Sequence, residues 1–514
     1  MPVSTAPPTG GYVSKVDSAL DQNKLTVLTV ILMVIAAAAP FTVIAGGATA
    51  GWAVTGVLGI PVAYVAMAVV LGVFSVGYTE MSRHIVNSGA FYAYVAQGLG
   101  RVTGLGAAGV AVLAYNFMQI GLFGGFGPVL SGLLKAQWNL EVEWWVCAFV
   151  AWAVIGVLGV LSIEFSGILL GVLLGAEVVI ALIFSVVELA HPAGGNVTFD
   201  TVNPAQLFSA GTGAALATAV AGFVGFESTA VYSEETRNAK RNIPRATYLS
   251  LIIIGLLYAF CSWAMSVAAG PDNIIALSTD NSSETMFVLV SPHLAEIWLT
   301  LGHVLFVTSL FAALLAFHNT AARYTFALGR ERVLFSWFGA TGRRFRAPLW
   351  GSITQSILAA VVLAVFAASD GLDPFVHLFF WWTVTGGFGV LILMTVTSVA
   401  VLAFFLRNRA GEIADVSQWR RFIAPAVGAV LLAAVLVVTV LEFDTLLGVA
   451  PTGLPRFLFP GLFLAAALVG AAWAAFLRSG SPETYRGIGQ GVNAALLTVQ
   501  PDEAPAAHRS GPSR

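Results

Sequence analysis

Long apolar runs set the first limit on what this chain can fold into. Such runs recur twelve times, at roughly 25–51, 52–79, 102–134, 144–162, 164–189, 211–232, 245–269, 295–328, 348–368, 375–407, 421–442 and 456–478. At about 1.5 Å per residue, about 20 residues of helix cross the roughly 30 Å of a bilayer's hydrocarbon core. Hydrocarbon offers no partner to backbone N–H and C=O groups, so each run has to be a helix that bonds its own. The expected fold is therefore all-α and integral to a membrane. With 58% hydrophobic and only 10% charged residues, and a mean hydropathy of +0.86, the 514 residues form one polytopic bundle rather than several soluble domains. A net charge of −2 gives no support to a nucleic-acid partner.

The polar residues sharpen this count. With the N-terminus inside, 22 of the 24 basic residues fall on the inner side, and only Lys135 and Arg456 fall outside. The outer loops instead carry Glu141, Glu143, Asp200, Asp272, Asp280, Asp370, Asp373 and Asp444. This follows the positive-inside rule, and it predicts a multi-pass protein of the cell membrane with both termini cytoplasmic. Residues 1–24 read as a polar cytoplasmic tail, with no cleavable signal, because the first apolar run is too long for one. Residues 479–514, rich in Ser, Pro, Gly and Ala, read as a disordered tail. The membrane domain is then 25–478. Cys147 and Cys261 both lie in apolar runs and read as packing residues. His303 and His318 have no ligand spacing, so neither a metal nor another cofactor is expected.

Spans one to five (25–189) and six to ten (211–407) form two groups of five, followed by two extra helices. Five is odd, so the second group starts from the opposite side, which permits an inverted repeat. In such folds the first helix of each repeat is interrupted near the midplane. Span one reads AAAAPFTVIAGG, with Pro40 followed by Gly46 and Gly47; span six reads AGFVGFE, with Gly222, Gly225 and Glu227. A proline kink and two packing notches are the plainer alternative. Their matching positions in the two groups favour paired broken helices.

The stretch GFVGFESTAVYSEETRNAKRNIPRA (222–246) resembles the sixth-helix signature of the amino acid–polyamine–organocation (APC) transporters. GYTEMSRHIVNSGAFYAYVAQGLG (77–100) and NTAARYTFALGRERVLFSWFGATGRRFRAP (319–348) are similar to that family's stretches after helices two and eight. The likeness covers about 25–480. It implies a LeuT-like fold of five plus five inverted helices with two added at the end, and secondary active transport of an amino acid or amine. There are two departures. Ala39, Pro40, Phe41 and Thr42 stand where the family's first helix usually breaks at a Gly-Ser-Gly type sequence. Thr236 to Ala239 stand where Asn-Pro often follows the acidic pair.

A break exposes half-helix N-termini, which favour a carboxylate, and free carbonyls, which favour an ammonium. An α-amino acid presents both groups. The expected substrate site is backbone at Ala39, Phe41 and Thr42 for the carboxylate and at Ala221, Gly222 and Phe223 for the amine. Phe223 and Phe226 are candidate gates or core aromatics, and Asn116 and Gln119 either face the cavity or bond between helices. Pro40, Gly225 and Glu227 are assigned to the scaffold of the breaks.

Glu177 lies about 20 Å into span five, near the midplane. A carboxyl at that depth is a candidate for ion coupling, with a structural hydrogen bond as the alternative. In some proton-coupled members of the resembled family a lysine of helix five is thought to have that role. Thr308 and Ser309 are the candidate ligands if sodium is the coupling ion. Arg83, Arg245 and the arginines after span eight form an inner gate with Glu80, Glu234 and Glu235, or else set topology and bind lipid head groups. No HExxH, GxSxG or Cys–His pairing points to an enzyme. The leading expectation is proton-coupled symport or exchange of a neutral amino acid, with a polyamine or cationic amino acid as runner-up and a membrane sensor as a third reading.

Overall fold

The structure is a computed structural model describing residues 25–85, 87–161, 163–341, 347–408 and 416–491. The tail at 1–24 and the end of the other tail, 492–514, lie outside the described residues. Twelve helices are long and apolar enough to cross a membrane: α1 (Val27–Thr55), α2 (Ile60–Ser82), α3 (Arg101–Trp138), α4 (Trp144–Leu161), α5 (Gly171–Ala190), α6 (Thr212–Ala230), α7 (Ala239–Ala269), α8 (Glu296–Arg330), α9 (Leu349–Ala367), α10 (Pro374–Arg407), α11 (Trp419–Leu441) and α12 (Leu454–Gly480). Among the described residues there is no strand, only one isolated bridge between Leu25 and Thr236.

Most boundaries fall within a few residues of the apolar runs, and two differ for local reasons. The first two runs join at Gly56–Gly59 instead of Gly51–Trp52. Gly56, at φ +65, takes the left-handed conformation that ends α1. Trp52 stays inside the helix, fully buried, with its indole N–H on the Leu58 carbonyl at 3.1 Å. In α7 the helix begins at Ala239, six residues before the apolar run, and carries Pro244 inside it, which leaves the carbonyl four residues back without its helical donor. The stretch after α2 folds into a further short helix, Ala90–Leu99.

The packing has the symmetry that two groups of five imply. α1 lies against α5, and α6 against α10. α5 also meets α7 and α8, as α10 meets α2 and α3. α3 meets α4, and α8 meets α9. The pairs α1–α6, α2–α7, α3–α8 and α4–α9 each join a helix to the one five places on. Exchanging every helix with its counterpart leaves these pairs unchanged. The last two helices stand outside the exchange, α11 against α2, α6 and α10, and α12 chiefly against α3. Close approach needs small residues: a Cβ at Gly124 of α3 would stand 2.6 Å from the Pro374 carbonyl of α10. Val150, Val154 and Val157 of α4 and Leu464, Leu468 and Val469 of α12 are exposed, forming an apolar outer belt.

Candidate functional site: a cavity between two broken helices

Both interrupted helices are broken. The first segment of α1, Val27–Ala38, stops at Ala39, which is left-handed at φ 43 and ψ 69. Ala39 still donates its N–H to Ile35 and Ala36. Pro40 then opens the second segment at the first helical position, where its ring is preorganised and no N–H is needed. The segment widens into a π turn over Val43–Ala48. α6 runs regularly from Thr212 to Phe223, becomes extended at Val224, and turns through Gly225 at φ +119 into a tight helix over Phe226–Ala230. A Cβ on Gly225 would lie 2.8 Å from the Ala37 Cβ, so the two breaks touch.

The backbone groups released by the breaks find partners on neighbouring helices. The Tyr258 hydroxyl of α7 lies 2.8 Å from the Ala38 carbonyl and 3.1 Å from the Gly222 carbonyl. Glu227 accepts from the Gly225 N–H at 2.9 Å and from the Tyr115 hydroxyl of α3 at 2.8 Å. Its own carbonyl accepts from the Tyr78 hydroxyl at 2.7 Å. At the start of the second α1 segment, the Thr42 N–H donates to the Ser309 hydroxyl at 3.3 Å, and the Glu177 carboxyl lies beside the Phe41 N–H and Ser309. Glu177 is 2% exposed. A buried carboxyl thus occupies the positive end of the half-helix. Thr308 instead bonds back to Leu305 in its own helix at 3.0 Å.

A cavity of about 60 Å³ lies between the breaks. α1 contributes Ala37, Ala38, Ala39, Thr42, Val43 and Gly47; α6 contributes Thr218, Ala221, Gly222 and Val224. Met118 and Leu122 of α3, Ala313 and Phe317 of α8, and Phe379, Phe380, Thr383 and Val384 of α10 complete it. No charged side chain is among these residues. Thr218 and Thr383 donate to carbonyls of their own helices. The Thr42 hydroxyl is buried and has no hydrogen-bond partner among the described residues.

Of the residues singled out in sequence, Ala39, Thr42, Ala221 and Gly222 meet at this cavity. The Phe41 ring turns away into a cluster with Phe184, Phe287 and Phe306. Phe223 packs on Tyr64 and Tyr258, and Phe226 stands edge-on to Phe74. Asn116 donates to Val112 and faces a groove between α3, α8 and α12. Gln119 accepts from Gln355 of α9 at 2.9 Å. The face of α3 at the cavity is the one carrying Tyr115, Met118 and Leu122, one position away from the polar pair. Phe317 and Phe379 were not singled out in sequence.

The two ends of the cavity differ. Toward the face where α8 starts, Phe379 lines the cavity and Phe375 lines a vestibule of about 690 Å³, with the two rings 4.8 Å apart. Toward the face where α1 starts, ion pairs close the bundle. Arg330 grips Glu234 with two 2.7 Å hydrogen bonds, and Arg323 reaches Glu235 at 2.9 Å. Burial alone would raise the pKa of Glu234, but the Arg330 guanidinium outweighs it and holds the carboxyl below its ordinary range. Glu80 lies 3.7 Å from Arg83 and 3.5 Å from Arg420. Leu25 bonds both Glu235 and Arg237 through the backbone, tying the start of α1 to the segment after α6.

The sequence over residues 25–468 matches the family model for amino acid permeases. The chain belongs to the amino acid permease family. Known relatives of this permease include the low-affinity putrescine importer PlaP of Escherichia coli, 26% identical over 193 residues, which are 37% of this chain and 39% of the importer. The cationic amino acid transporter 3, mitochondrial, of Arabidopsis thaliana is 27% identical over 36% of this chain and 28% of its own. The branched-chain amino acid permease BcaP of Lactococcus lactis is 24% identical over 60% of this chain and 68% of its own. The permease thus matches well under half the length of the first two. A broken-helix cavity, twelve spans and the family together make it a multi-pass membrane protein of a transporter family.

Proposed function

We propose that this permease is a secondary active transporter of neutral amino acids, driven by protons or by exchange, working by alternating access in the cytoplasmic membrane. The membrane domain is then 25–478, made of inverted repeats 25–189 and 211–407. The basic side that holds the ion pairs is the cytoplasmic one, with both tails there. The observation that carries the substrate reading is the lining of the cavity. Its side chains are apolar but for three threonines, and none is charged. A diamine or a cationic amino acid would bring an ammonium to this lining without a carboxylate to meet it, and a buried unpaired charge is costly. A zwitterion needs only backbone groups for its two charges and apolar walls for its side chain. Of the relatives, the branched-chain permease fits this lining better than the putrescine importer.

Glu177 supports the proton as coupling ion. The substrate carboxylate and the Glu177 carboxyl seek the same positive half-helix end at Phe41 and Thr42. Protonating Glu177 weakens its claim on the Phe41 N–H and frees that donor for the substrate. Proton and amino acid then load together, while the amine meets carbonyls at Ala221, Gly222 and Phe223. Ser309 holds Glu177 and Thr42 in one network, and Glu227 stays a fixed support of the α6 break.

Uptake into proteoliposomes tests both parts. Labelled leucine should enter faster with an inward proton gradient, and putrescine and arginine should compete poorly. Gly222→Leu should abolish uptake while the protein still inserts. Putrescine transport with no leucine transport would replace this substrate with an amine, and binding without any uptake would point to a sensor.

A further inference from the structure

Glu188 is a second buried carboxyl on α5, and the coupling scheme above leaves it without a task. It is 1% exposed, and neither carboxyl oxygen has a hydrogen-bond partner among the described residues. Removing a carboxyl from water without partners is one of the more costly arrangements in a protein, and inside a membrane bundle such a group marks an ion pathway by default. It sits two residues before the end of α5, on the side away from the ion-paired face.

Its position relative to Glu177 is the second observation. Residues 177, 181, 184, 185 and 188 follow the spacing of one helix face, and all five are buried. The two carboxyls are eleven residues apart, about 16 Å along the axis. The interval carries proton-bearing groups from two helices. Ser185 lies beside the Cys261 thiol of α7, and Glu188 is within electrostatic reach of the same thiol. One turn along α7, at i−3 from Cys261, Tyr258 feels the charge of Glu177. Three further titratable groups lie near this end of α5: His191, whose backbone N–H reaches the Glu188 carbonyl at 3.3 Å, His293, on which the His191 ring stacks at 3.6 Å, and His303 of α8, which pairs with Glu284 at 2.8 Å and stacks on Phe287. The adjoining first segment of α1 (Val27–Ala38) and the helix Thr285–Val290 carry none.

We propose that Glu188 is the proton entry point of the permease, taking a proton from the outer side and passing it along the Ser185–Cys261–Tyr258 edge to Glu177. The step balances simply. Glu188, neutral at rest, releases its proton through bridging water and the side chains of that edge to the Glu177 carboxylate, and a hydronium outside then restores the proton to Glu188. Glu188 touches neither substrate nor cavity, so its effect is on the rate of proton delivery alone. The inference rests on the proton-coupled reading given above.

The experiment compares two modes of one reconstituted protein. Net uptake of labelled leucine, or of the neutral amino acid ranked first in the uptake screen, is driven by a proton gradient. Counterflow of the same amino acid at equal pH needs no net proton movement. Glu188→Gln should slow gradient-driven uptake about tenfold and leave counterflow at the wild-type rate, and Glu188→Asp should recover most of the loss. Unchanged gradient-driven uptake in Glu188→Gln overturns the relay. Equal losses in both modes also overturn it, since they indicate a structural group. Wild-type uptake that ignores the gradient overturns the coupling scheme itself, and is told apart because no variant is needed to see it.

Discussion

The Tyr258 hydroxyl stands 2.8 Å from the Ala38 carbonyl, so one side chain of α7 closes the end of the first α1 segment. The same hydroxyl reaches the Gly222 carbonyl at 3.1 Å, where the regular part of α6 ends. Two chain breaks that are far apart in sequence share one donor. Tyr258→Phe keeps the ring packing on Tyr64 and Phe223 but leaves two buried carbonyls short of a partner. The cost should be about 1–3 kcal/mol. A lower unfolding temperature in detergent and slower uptake, at normal membrane levels, are the expected results.

Thr42 should behave in the opposite way. Its hydroxyl is buried beside the cavity with no partner, so Thr42→Val removes an unsatisfied group from an apolar setting. Such a change is neutral or mildly stabilising. If the hydroxyl is held for substrate, KM for leucine should rise several-fold while the unfolding temperature stays or climbs. An unchanged KM would remove Thr42 from the site.

At Gly225 the backbone itself sets the constraint. Its φ of +119 disfavours any side chain, and a Cβ would press on Ala37 at 2.8 Å. Gly225→Ala should cost about 1–3 kcal/mol in backbone strain alone and push the two breaks apart. Reduced thermal stability together with reduced uptake checks this.

The ion pair of Glu234 and Arg330 predicts a response to acid. The folded protein holds Glu234 below its ordinary range, chiefly through the Arg330 hydrogen bonds set against burial. Unfolding therefore takes up a proton near that range. The pair's stabilisation is complete above the ordinary carboxylate value and is lost as pH falls through the depressed folded one. Glu331 has the opposite sign: burial raises it despite the N–H groups of Gly489 and Gly491, so its contribution declines as pH rises above the ordinary value. Glu234→Gln should flatten the acid limb of a thermal-shift profile, and Arg330→Ala, which strands a buried carboxyl, should cost about 3–5 kcal/mol.

Much of the architecture is legible in the sequence because hydrocarbon leaves the backbone few options. Apolar length gives the twelve spans, and Pro40, Gly222 and Gly225 mark where two of them cannot run straight. Which face of a helix meets the cavity is far less legible. α3 is apolar almost all round, so nothing in its sequence separates the Asn116–Gln119 face from the Met118–Leu122 face. Only the positions of α8, α9 and α10 decide, and Gln119 is drawn to Gln355 instead. Phe317 and Phe379 are hidden for the same reason, being two phenylalanines among 35. Glu188 could have been found. Its eleven-residue interval from Glu177 puts both on one face of a membrane helix, a pattern that packing alone does not require.

The bridge at Leu25 has a mechanical consequence. Its two hydrogen bonds, to the Glu235 carbonyl at 3.0 Å and from the Arg237 N–H at 2.9 Å, join the half of α1 before its break to the chain that follows the α6 break. Two levers pinned at their free ends swing as one. On the proposed alternating-access reading, a gate built this way has a single moving part on that side, and substrate would reach the basic face only when the whole part moves or the pin is withdrawn.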